Sequence, residues 1–292
     1  HIDASQALVP FGGLSYSVQP AESPSLGAEP NNGTEYFLSA LQFGPAPLDN
    51  RIATWALTNT ASLNVATPSV VLSFVVITSE TYGQPPNATQ KTSGPRPLAT
   101  FIQQSTGTRP PVELLASNDD RMNQVVFATG LLWSGVNTIV QNGTSAPRVA
   151  TAYFIVKPSW TTDGKLTASI AKQGYVAIDG ANVLFPSIGV TASGQGVISF
   201  SVSGKNFFPS AAYALVDAVN GAGRIHIAAA GQLPDDGFSG YAAYGGAGVG
   251  RWGDYTAAVA DGNNIWFAAE YIPNLPRTLL ANWGTFVSKL HV

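Results

Sequence analysis

The sequence predicts an all-β fold: a β-propeller-like array of about four four-stranded antiparallel blades, forming one domain over residues 1–292. Three observations predict it. Strand–turn–strand units recur at a spacing of roughly 60 residues, the mark of an array of small sheets. Arg51-Ile52-Ala53-Thr54-Trp55-Ala56-Leu57-Thr58 is echoed by Arg148-Val149-Ala150-Thr151-Ala152-Tyr153-Phe154-Ile155, while Leu184–Val190 and Tyr255-Thr256-Ala257-Ala258-Val259 each lead into a glycine turn and a second strand. Short apolar runs rich in Val, Ile, Tyr and Phe are cut by Gly, Pro, Asn and Asp, and no segment sustains a capped 3.6-residue period. Glycine (30) and proline (20) are abundant without a strict period, which suits a turn-rich β protein and excludes collagen.

Four units follow. The first holds strands at 14–19, 36–42, 51–58 and 69–78; the second at 123–129, 132–140, 149–156 and 166–177. The third holds strands at 184–190, 197–202, 211–216 and 224–229. The fourth has only three, at 255–260, 264–272 and 285–292. Residues 5–9 are expected to supply its missing strand, because pairing the two termini removes two exposed sheet edges at once. The alternative is that this array is part of a larger propeller with blades upstream. The nearest approach to a helix, 273–282, is broken by Pro276. Two long connections remain: a Pro-rich insertion at about 81–119, read as a strap over sheet edges or as a partner-reaching segment, and a Gly-rich stretch at 231–250.

Composition excludes several function classes. The net charge of −3 offers no basic stripe for nucleic acid, and no apolar run reaches the length of a transmembrane helix. The absence of cysteine removes disulfides, thiolate metal sites and a thiol nucleophile. Low charge and many small polar residues point to a secreted or cell-surface protein. Asn32-Gly33-Thr34, Asn87-Ala88-Thr89 and Asn142-Gly143-Thr144 are acceptor triplets that a glycoprotein would carry on loops.

The densest cluster of chemistry is Gly250-Arg251-Trp252-Gly253-Asp254-Tyr255, which leads into the first strand of the fourth unit; Arg121-Met122-Asn123-Gln124 holds the matching place in the second. Entry turns from neighbouring blades converge on one mouth of a propeller. Arg121, Asn123, Arg251, Trp252, Asp254 and Tyr255 are therefore the expected ligand-binding set. Arginine would orient the ligand, Asp and Asn would hydrogen-bond it, and Trp and Tyr would stack on sugar rings. The bland alternative is that Asp254 pins a turn and Trp252 covers a blade edge.

Arg251-Trp252-Gly253-Asp254-Tyr255, with Asp261-Gly262, Trp266 and Glu270-Tyr271, resembles a segment of uncharacterised secreted proteins with propeller-like repeats. Phe208-Pro209-Ser210-Ala211-Ala212-Tyr213 followed by Gly237-Phe238-Ser239-Gly240-Tyr241 resembles the same group. The resemblance covers about the last 110 residues and implies a β-propeller; the group carries no established activity.

For an enzyme, the reading that competes is a glycoside hydrolase, sialidase-like or other, with an acid/base carboxylate at the mouth. Glu270 and Asp254 are the candidates there, with Asp235 and Asp236 as further carboxylates. Serine–histidine–aspartate catalysis lacks a Gly-x-Ser-x-Gly elbow, and His226 alternates with apolar residues as a sheet histidine does. A copper site at His1 would need His226 or His291, on a sandwich fold rather than a repeat array. No cofactor is expected beyond a structural Ca²⁺, which the turns at Asn118-Asp119-Asp120, Asp235-Asp236-Gly237 and Asp261-Gly262-Asn263-Asn264 admit. The reading is thus a surface binding module for a carbohydrate or other polar polymer. Hydrolase and structural or assembly protein are the alternatives, and an oligomer or upstream polypeptide is a candidate partner.

Overall fold

The computed structural model describes residues 14–24, 33–42, 48–274 and 276–292. The chain is mostly β. Strands β1 (Leu14–Glu22), β2 (Glu35–Gln42), β3 (Leu48–Thr58) and β4 (Val71–Gly83) form an antiparallel meander. After a two-residue strand β5 (Leu114–Leu115), β6 (Val125–Ala128), β7 (Leu131–Val140), β8 (Arg148–Trp160) and β9 (Leu166–Val176) form a second. β10 (Ala181–Val190), β11 (Gly196–Gly204), β12 (Phe207–Asp217) and β13 (Gly221–Ala229) form a four-stranded antiparallel sheet in sequence order. Strand β14 (Val249–Gly250) pairs in parallel with β5. Finally β15 (Ala257–Asp261), β16 (Asn264–Tyr271) and β17 (Gly284–His291) form a three-stranded sheet.

The strand groups fall where the sequence places them, but the first two are not separate blades. β1 pairs in parallel with β6 through Ala21 with Val125 and Glu22 with Val126. That joint makes one eight-stranded sheet, ordered β4-β3-β2-β1-β6-β7-β8-β9, whose end strands β4 and β9 lie against each other in a nearly closed, barrel-like arrangement. The four echoed stretches also differ in place: 51–58 and 148–155 lie in the third strands of their meanders, whereas 184–190 and 255–259 lie in or lead into the first strands of theirs. The expected strand at 5–9 lies outside the described residues, as does Asn32 of the first acceptor triplet; Asn87 and Asn142 are exposed.

Burial follows layer position. Every residue of β10 and β11 is buried, as a strand covered on both faces requires, while β17 alternates between half-buried and exposed positions. Leu38 and Ile52 meet Phe127 and Phe154 in a core between β2–β3 and β6–β8. Trp133 and Ile155 meet Ile198 and Phe200 in the next. Val197 meets Ala258, Ile265 and Phe267 in a third. Each fully buried side chain of this size contributes about 1.5–3 kcal/mol.

One element escaped the periodicity: α1 (Pro97–Thr106), inside the Pro-rich insertion. Pro97 supplies a preset φ at the first turn, and Gly107 ends the helix at φ 78°, its N–H returning to the Gln103 carbonyl at 2.8 Å. The N-terminus is held from far away. The Asp236 carboxylate accepts the amides of Leu98 (2.8 Å) and Ala99 (3.1 Å). A ten-residue helix is marginal alone, and its cap comes from 138 residues away, so no local pattern announces it. Among the described residues no helix is long and apolar enough to cross a membrane.

Candidate functional site

The loop leading into β15 is built around a buried anchor. Trp252 is 1% exposed and packs with Ala88, Leu115, Val149, Leu184, Phe185 and Ile272. Its indole N–H is buried without a hydrogen-bond partner among the described residues. The expected stacking role of Trp252 is therefore corrected: its ring faces the core, which fixes the loop and leaves no face for a sugar. Phe185, at φ 56° in a bulge of β10, packs in the same core; its N–H donates to Asn137 Oδ1 (2.6 Å) and its carbonyl accepts from Thr256 (2.6 Å).

Past Trp252 the chain makes two successive three-residue turns. The Asp254 N–H reaches the Trp252 carbonyl (2.6 Å) and the Tyr255 N–H reaches the Gly253 carbonyl (2.5 Å), with Gly253 and Asp254 at φ 50° and 51°. A non-glycine residue there costs about 1–3 kcal/mol. The turns throw Arg251 and Asp254 outward as an exposed ion pair, so Asp254 accepts from a guanidinium rather than pinning backbone amides.

Tyr255 is 57% exposed, and its hydroxyl accepts from Arg121 Nη1 at 3.3 Å. That contact joins segments 134 residues apart and brings the loop before β6 to the loop before β15. Arg121 is itself preset: Nε and Nη2 donate to the two oxygens of Asp119 (2.7 and 2.6 Å), and Tyr16 donates to Asp119 at 2.5 Å. Burial works to raise the Asp119 carboxyl, but the hydrogen bonds from Arg121 and Tyr16 outweigh it and hold the group below its usual range. Asn123 does not join the set. It is 5% exposed, and its backbone pairs with Gly135 and Ser134 inside the sheet.

Glu270 sits half-buried beneath the loop, close enough to Gly253 that a Cβ there would lie 3.1 Å from Glu270 Oε2. Burial pushes its carboxyl up to about 7; the Gly253 amide opposes this, and the charges of Asp235 and Asp254 add to it.

A second cluster arises where the two long connections meet, through the β5–β14 pair. Its carboxylates are Glu113, Asp235 and Asp236; only the last two stand out in sequence, as part of an Asp-Asp-Gly turn. Asp236 is fully engaged by the helix amides, Tyr241 Oη (2.7 Å) and Arg277. Glu113 and Asp235 are 2% and 1% exposed. Gln90 clamps both backbones, donating to the Glu113 carbonyl (2.9 Å) and accepting from the Asp235 amide (2.8 Å). Burial pushes the Glu113 carboxyl up to about 8, with the charges of Asp235 and Asp236 adding; the Gly240 amide and Arg96 oppose. A groove of about 360 Å³, lined by Ile102, Pro110, Pro111, Tyr241 and Ala242 among others, has Glu113 in its wall.

Among the described residues no three His, Cys, Asp or Glu side chains form a metal-ligand group. The turn at 118–120 is committed in part to Arg121 and Tyr16, and the turn at 261–264 closes the β15–β16 hairpin. His226 lies in β13, stacked on Tyr213 across the strand pair at 5.1 Å. Comparison with protein-family models finds no match, and comparisons with curated proteins and with solved structures find none either.

Proposed function

We propose that the chain is a binding module for a carbohydrate or other polar polymer, acting through Arg121, Tyr255, Arg251 and Asp254. The observation that carries this reading is the Arg121–Tyr255 contact, which sets an exposed aromatic face beside a guanidinium already oriented by Asp119. An aromatic face flanked by fixed donors is the surface that sugar rings and polar polymers occupy. Arg251 and Asp254 extend it with one donor fork and one acceptor.

A propeller-like arrangement, alone or as part of a larger ring, is the fold reading that goes with this site. Its support is that the third strand group shares one core with the second and another with the fourth, and that the entry loops of the second and fourth groups meet. A secreted or surface location, with Asn87 and Asn142 as exposed acceptors, belongs to the same proposal.

The test is a glycan array probed with wild type and Tyr255→Ala. Binding by wild type that the variant loses supports the module; no glycan bound by either refutes it. A hydrolase is favoured by one observation, the Glu270 carboxyl held near neutrality beneath the loop. Chromogenic glycosides turned over by wild type and not by Glu270→Gln would replace the binding reading with that one.

A further inference from the structure

We propose that Glu113 and Asp235 hold a calcium ion at the junction of the two long connections. Three carboxylate oxygens there, Glu113 Oε1 and Oε2 and Asp235 Oδ2, are buried with no hydrogen-bond partner of normal geometry among the described residues. The Gly240 amide lies near Glu113 and favours its charged form without meeting that geometry. Orphaned buried carboxylate oxygens cost several kcal/mol and call for a counter-ion or a proton.

The orphans point at one place. A Cβ built on Gly250 would lie 2.6 Å from Glu113 Oε2 and 2.9 Å from Asp235 Oδ2, so about 5.5 Å is the ceiling on the separation of the two oxygens, reached only if that point lies on the line between them, and any bend at it brings them closer. One calcium ion spans two carboxylate oxygens up to about 5 Å apart, since each bond is about 2.3–2.6 Å. Gly240 and Gly250 are the residues this arrangement requires: any side chain at either would strike Glu113.

The count of oxygens favours a metal over a shared proton. A proton between the two acids satisfies one donor and one acceptor oxygen and leaves the third buried without a partner. A calcium ion takes Glu113 through both oxygens and Asp235 through one. Ser239 Oγ, 3.7 Å from the same Gly250 point, and waters entering by the groove beside Glu113 complete a shell of six to eight. All donors are hard oxygens, with no imidazole or thiolate among them, which favours calcium or magnesium over zinc. The rigid octahedron of magnesium, with bonds near 2.0–2.1 Å, suits a loosely spaced acid pair less well. Asp236 is no competitor, because Arg277, Tyr241 and two amides already consume it. Gln90 presets both ligands, so the ion would staple the Pro-rich connection to the Gly-rich one.

The full chain is stripped with EDTA, dialysed, and titrated with CaCl₂ while its melting temperature and binding heat are recorded. Saturating calcium is expected to bind one per chain and raise the melting temperature by about 5 °C. Glu113→Gln and Asp235→Asn are expected to weaken binding at least tenfold. Because either variant risks misfolding, terbium luminescence on the wild type gives an independent readout. A Cβ on Gly237 would lie 2.5 Å from the Trp283 ring and 3.1 Å from Asp235 Oδ1, so that indole sits within energy-transfer range of the ion. Sensitised emission that calcium displaces, and that Trp283→Leu removes without changing calcium affinity, supports the site. No calcium-dependent shift at millimolar concentration overturns it. So does calcium affinity unchanged in folded Glu113→Gln, or terbium emission that calcium does not displace.

Discussion

Replacing Trp252 by alanine separates an anchor from a binding platform. The side chain is 1% exposed among six other buried core residues. Truncating a buried tryptophan costs about 3–5 kcal/mol through lost transfer energy and the cavity left behind. Its indole N–H is buried unpaired, and removing that group returns about 1–3 kcal/mol. The net expectation is a loss of about 2–3 kcal/mol, or about 5–10 °C in melting temperature for a chain of this size. Trp252→Phe keeps most of the ring and removes the orphan donor, so it is expected within about 1 kcal/mol of wild type. Equilibrium urea unfolding followed by far-ultraviolet circular dichroism reads both. Trp252 is not an anchor if Trp252→Ala leaves stability within about 0.5 kcal/mol while abolishing ligand binding, or if the phenylalanine variant is as unstable as the alanine one.

Tyr255→Ala, at a 57% exposed position, is expected to leave stability within about 0.5 kcal/mol while weakening glycan binding at least tenfold; a matching loss of stability would make Tyr255 structural. Glu270 is held near 7 in the fold against an ordinary 4.5, so the folded chain keeps a proton that the unfolded chain has released. Its contribution to stability is therefore full below pH 4.5, falls as pH rises from 4.5 to 7, and is flat above. Allowing for its partial exposure, that loss is about 1–2 kcal/mol, and Glu270→Gln should flatten the pH profile of urea midpoints in that window. Asp236→Asn is expected to cost about 3–5 kcal/mol by leaving Arg277 uncompensated, and to strip hydrogen-exchange protection from the amides of α1 first. Uniform exchange across the chain would show that Asp236 does not hold that helix.

Much of the fold was legible in the order of residues. Strand positions follow from runs such as 184–190 and 264–271, because alternation and turn residues act within a few positions. Whether β1 joins β6 edge to edge was not legible, since two backbone pairs far apart in sequence decide it. The site divides the same way. Tyr255 and Arg121 carry aromatic and cationic chemistry near matching strand starts, and they meet. Trp252 and Asn123 carry the same residue-type signal, yet the core claims one and the sheet interior the other. Glu113 gave no signal, standing alone in a proline-rich run.

By itself the chain's order of residues determined that it is β-rich, where its strands run, and that two long connections interrupt them, because period, turn chemistry and composition are local properties. Tertiary structure alone decided which aromatic is covered, that one aspartate caps a helix 138 residues away, and that Glu113 and Asp235 face each other. Burial and the pairing of charges depend on which distant segments share a dielectric environment, and that is set only once the layers have packed.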